Sequence, residues 1–164
     1  MARETKIEYQ NKGFWIPEAF IEILSNYICK VFEDMTINTL SPNLQEIYSE
    51  CDSNRNGENI GVVNILFDEF VTNEVDKSAL IAVLEKTKIL IQSLGEEISI
   101  SVLNQFENNK LKDSFKKEWY HPIRTKSLIS TLNIIQQVLN ETWESTNYGI
   151  YYSGFPNPDN VIEL

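Results

Sequence analysis

Apolar residues recur at helical spacing through most of this chain. Phe20, Leu24, Tyr27, Ile28, Val31 and Phe32 share one face and predict an amphipathic helix over 17–35. Pro17 suits its first position, where a missing N–H costs nothing. Ser41-Pro42 repeats that start signal, and Leu44, Ile47 and Tyr48 carry a shorter helix to about residue 50. Leu80, Val83, Leu84, Leu90, Ile91 and Leu94 give 74–94 the strongest helical period, capped by Thr72-Asn73 and stopped by Gly95. Leu111, Phe115 and Trp119 lie four apart as one stripe that Pro122 ends. Thr125 then caps a long helix through Leu128, Leu132, Ile135, Leu139 and Trp143.

Other stretches read differently. Residues 5–9 alternate and suit a short strand before the turn signal Asn11-Lys12-Gly13. Residues 52–59 are polar, contain Gly57 and read as a loop. Residues 60–71 lean to helix, although Val62 and Val63 also suit a strand, and 97–107 are compatible with either. After Asn147 the Tyr- and Pro-rich tail is expected to pack along the surface without forming an element. The expected fold is mainly α: a compact bundle of about five or six helices, with at most a small amount of β, in one domain spanning residues 1–164.

Composition supports that picture. The 164 residues are 42% hydrophobic and 23% charged, within the ordinary globular range. A chain of this size buries about 70% of its unfolded surface, enough for a core without metal or disulfide. Cys29 and Cys51 have no zinc-motif spacing, and Cys29 falls on an apolar helix side, which predicts a buried reduced thiol. The N-terminal residues lack the apolar stretch of a signal peptide, and no apolar run approaches a membrane span. The expectation is a soluble cytoplasmic protein.

Candidate chemistry is sparse. Asp52, Asn54, Asn56 and Gly57 match the start of a calcium loop, but Val63 stands where the bidentate Glu belongs. His121 is the only histidine, which excludes a multi-His metal centre and leaves one possible general base. No Gly-x-Ser-x-Gly, phosphate loop or dinucleotide fingerprint is present. No catalytic residue, cofactor or metal ligand is therefore assigned.

Charge is more informative. The formal net charge is -10, which disfavours a general nucleic-acid surface. Residues 46–76 hold eight acids, Glu46, Glu50, Asp52, Glu58, Asp68, Glu69, Glu74 and Asp76, against Arg55 alone. Residues 110–126 reverse the sign, with Lys110, Lys112, Lys116, Lys117, Arg124 and Lys126 against Asp113 and Glu118. An acidic surface steers basic partners. The expected binding set is those eight acids, with Tyr48 or Phe70 as an aromatic anchor.

In size, acidity and absence of catalytic motif the chain resembles bacterial immunity proteins that neutralise a cognate toxin nuclease. The resemblance implies a non-enzymatic inhibitor docked on a basic protein partner such as a toxin domain. No motif carries residue roles across. Two other readings remain: a small hydrolase-like enzyme using His121 with a nearby carboxylate, and an anionic-ligand or RNA-binding module built on residues 110–126. Solubility alone also accounts for a net charge far from zero.

Overall fold

A computed structural model describes residues 3–59 and 61–144, together with two backbone strands at 148–151 and 161–163. The chain opens as a hairpin of β1 (Glu4–Tyr9) and β2 (Lys12–Pro17), paired antiparallel from Glu4↔Pro17 to Tyr9↔Lys12. The two-residue turn puts Gln10 at φ 51° and Asn11 at φ 63°. Positive φ at both positions is the turn geometry that matches strand twist. Gly13 is required just after it, because a Cβ there would stand 2.1 Å from the Ile7 carbonyl oxygen. Thr5, Ile7 and Tyr9 point inward in alternation.

Pro17 ends β2 and precedes the helix, instead of filling its first turn. Helix α1 (Glu18–Asp34) then runs through the middle of the molecule, against α2 (Pro42–Asn56), α4 (Glu74–Gln92) and α5 (Ile100–Asn108). It is buried on most of its circumference, with Phe20, Ile21, Leu24, Ile28 and Phe32 at its heart. Such a helix reads as hydrophobic nearly all round. Ser41 caps α2, accepting a bond from the Leu44 amide, and Asn73 caps α4 by accepting from the Asp76 amide. Helix α6 (Thr125–Leu139) packs against α4 and completes the core with Leu128, Leu132, Ile135 and Leu139.

The structure corrects three local expectations and decides a fourth that the sequence left open. Helix α2 continues to Asn56, so Asp52, Asn54 and Asn56 are helical and Gly57, at φ 74°, is its left-handed cap. Residues 62–66 are neither helix nor strand and lead into the single turn α3 (Phe67–Phe70). Residues 97–107 are both: β3 (Glu97–Ile98) pairs antiparallel with β4 (Ile123–Arg124), and Ser99 caps α5. The Leu111–Phe115–Trp119 stripe is not a helix. It holds one 3-10 turn at Asp113–Phe115 and is otherwise without regular structure, so side chains four apart do not share a face.

The tail also differs from expectation. β5 (Tyr148–Tyr151) lies parallel to β2, and β6 (Val161–Glu163) lies parallel to β5. The sheet order is β1-β2-β5-β6. The fold is thus mainly α, with six α-helices among the described residues and a small amount of β. None of the helices is long and apolar enough to cross a membrane among those residues.

Candidate functional site

The eight acids of 46–76 do not form one surface. Asp76 is buried, 5% exposed, between the starts of two helices. Its carboxylate accepts from Ser41 Oγ at 2.7 Å, Asn43 Nδ2 at 2.8 Å and Asn73 Nδ2 at 2.7 Å. These bonds, led by that from Ser41, hold its pKa below the ordinary value. Its role is to tie two helix caps together. Asp68 accepts from the Gln10 amide at 2.9 Å and the Gln10 side chain at 3.3 Å, which pins the positive-φ hairpin turn.

Asp52 and Glu33 both bind Arg55. The segment's one cation is therefore already committed. Glu58 accepts from Ser53 Oγ at 2.9 Å, and Glu74 pairs with Lys77 at 2.7 Å. Tyr48 belongs to the seam between α1 and α2: its ring meets Phe32 edge-on at 5.9 Å and its hydroxyl donates to Glu33. Burial, with Asp52 and Glu33 nearby, raises its pKa to about 12.

Glu46, Glu50 and Glu69 remain. Glu46 and Glu50 stand four apart on α2 and so share a face, and Glu69 rises beside Glu50 from α3. None of the three makes an ion pair among the described residues. Burial first, then the charges of Glu69 and Glu46, raise the Glu50 pKa above its ordinary value. Apolar surface adjoins them: Leu66, one turn before Glu69, is 39% exposed, and Phe70 is half-buried. The chain thus gathers three like charges at one spot with an apolar margin.

The strongest polar assembly lies elsewhere and in residues the sequence reading did not join. Lys110 Nζ reaches Glu22 at 2.8 Å and Glu107 at 2.7 Å, and all three side chains are almost fully buried. Lys117 Nζ binds the same Glu22 oxygen at 2.8 Å. Glu107 also accepts from the Lys117 amide and from Trp119 Nε1 at 3.0 Å each. Glu18, one turn before Glu22, completes the cluster, and burial raises its pKa against the opposing pull of Lys117 and Arg3.

Local sequence explains why Lys110 can enter. Gly57 leaves a cradle at the end of α2, where a Cβ would come within 3.3 Å of the lysine stem. The Leu111 amide then donates to the Asn56 carbonyl at 3.1 Å and fixes the chain leaving α5. One signal could have revealed this network. Glu22 sits between Ile21 and Ile23 in a helix that is apolar on most sides, and a carboxylate there needs a buried cation.

The network also changes the basic segment. Lys110 and Lys117 are consumed by Glu22 and Glu107, and Lys116 pairs with Asp113 at 2.6 Å. Lys112 lies 5.4 Å from the Phe115 ring centroid, while Arg124 and Lys126 are exposed. His121 is exposed at a bend before β4, not at a helix end. Comparison with family models, curated proteins and solved structures finds no match for this chain.

Proposed function

We propose that this protein is a non-enzymatic acidic binding protein that docks on a basic protein partner through the α2–α3 face. The contact set is Glu46, Glu50 and Glu69, with Leu66 and Phe70 supplying apolar anchorage. The single observation that carries the reading is that those three carboxylates have no ion-pair partner among the described residues, while the other acids of 46–76 have partners. Like charges held together with no counter-ion attract a cationic surface over long range and speed its association. An inhibitor or immunity-type role, with a toxin nuclease as partner, is the particular form of this reading that the sequence resemblance suggests.

Affinity capture at low and high salt tests it. The wild type is compared with Glu46→Lys/Glu50→Lys/Glu69→Lys and with a control of equal net charge, Asp34→Lys/Glu96→Lys/Glu144→Lys. The expected result is a basic protein held by wild type and control, released by salt and lost by the α2–α3 variant. Equal retention by both variants would remove the reading.

A further inference from the structure

The seam between α1 and α2 holds two cysteines that the docking reading does not use. The short connection between these helices makes them antiparallel neighbours. Their register is fixed by Phe32 on α1 against Tyr48 on α2, with ring centroids 5.9 Å apart. One turn back along α1 is Cys29, and one turn forward along α2 is Cys51. Antiparallel register therefore sets the two thiols opposite each other. Both are free and fully buried. Ser25, one turn further back on α1, lies against the Cys51 thiol, and its buried hydroxyl makes no hydrogen bond of normal geometry. The same seam is closed at its rim by Arg55 and Glu33.

We propose that Cys29 and Cys51 form a disulfide-competent pair, a built-in modification site that covalently joins α1 to α2 when a small-molecule disulfide oxidises it. One cysteine, as thiolate, attacks the small disulfide, forms a mixed disulfide and releases one small thiolate. The second cysteine then attacks the protein-bound sulfur, forms the Cys29–Cys51 bond and releases the second small thiolate. The two protons lost by the cysteines pass to the two leaving thiolates. The protein pair gives up two electrons and the small disulfide gains them.

Burial sets the rate. Loss of solvation raises both thiol pKa values, that of Cys51 to about 12, so little thiolate exists at neutral pH. Oxidation is therefore slow, accelerates with pH and waits on local opening of the seam. Because α2 also carries Glu46 and Glu50, the bond clamps the helix bearing the proposed docking face. The pairing itself stands independently of that face.

The full chain is incubated with excess oxidised glutathione at about pH 8, in buffer and in urea below the unfolding transition. It is then denatured, alkylated and weighed. The expected product is a monomer that has lost both thiols and about 2 Da, formed faster in urea, with Tm raised by about 5–10 °C. The Cys29→Ser and Cys51→Ser variants are expected to stop at the mixed disulfide. Retention of both thiols in both conditions, accumulation of mixed disulfide in the wild type, or a lowered Tm of the bridged form would each overturn the pairing.

Discussion

Two groups of charges in this molecule obey different physics. Glu46, Glu50 and Glu69 meet on the surface with no cation among them. Glu22, Glu107 and Lys110 meet inside, and Lys117 reaches Glu22 from the exposed rim, so each charge is answered by its opposite. Exposed like charges repel by about 1 kcal/mol at contact distances in water, a cost the fold can carry. Buried ions without partners cost several kcal/mol each. The surface group is thus free to be unbalanced, while the internal group must close. Unbalanced charge remains available to a partner; balanced charge has been spent on the fold.

The largest expected effect comes from opening the internal group. Lys110→Met leaves Glu22 and Glu107 buried with Lys117 alone and is expected to cost about 3–5 kcal/mol in urea unfolding. A loss below about 1 kcal/mol would show that the network matters little and would dissolve the contrast.

Asp76 comes next, as an acid of the 46–76 segment that behaves like an internal one. Asp76→Ala removes the link between two helix caps and is expected to cost about 2 kcal/mol. Its native pKa lies below the ordinary 3.8. The stability it contributes is therefore present above the unfolded pKa and is lost as pH falls through the native one. Denaturation of wild type and variant across the acid range should show the difference shrinking toward low pH. A constant difference would contradict the assigned role.

Asp68→Ala frees the Gln10–Asn11 turn and is expected to cost about 0.5–1 kcal/mol, read from thermal unfolding. Glu50→Gln has the smallest effect and the opposite sign: a gain of about 0.3–0.5 kcal/mol near neutral pH, as the partial burial of its charge and then its repulsion by Glu69 and Glu46 are relieved. The native Glu50 pKa lies above 4.5, so the native state loses stability relative to the variant as pH rises through that value. The gain should vanish below about pH 4.5. If Glu50→Gln instead destabilises the protein, Glu50 has a cation that the proposed face does not allow.

Sequence legibility followed the range of the interactions. Ser41-Pro42 and Asn73 act on amides three residues away, and both caps stand where the sequence placed them. The Leu111–Phe115–Trp119 spacing misled because Glu107 and Asn104 hold that segment from outside. Asn104 Oδ1 accepts from the Trp119 amide at 2.8 Å and Glu107 from its indole, contacts stronger than a four-residue apolar period. Gly57 reads in the sequence as part of a polar loop, whereas it caps a helix that continues to Asn56. Its second role, making room for Lys110, depends on α5 arriving beside it.

What the sequence alone determined was local: the starts of helices α1, α2, α4 and α6, the Ser41 and Asn73 caps, a core of aliphatic and aromatic residues, and an excess of acid in 46–76. Thr125, expected as a cap, is instead the first residue of α6, which ends at Leu139 and not at Trp143. Periodicity and capping act within one or two turns, so a linear pattern suffices to specify them. Which acids keep a free charge was decided only in three dimensions. Glu22 and Lys110 are 88 residues apart, yet their side chains meet at 2.8 Å. Charge is neutralised by whatever lies within a few ångströms, and the folded chain alone sets that neighbourhood.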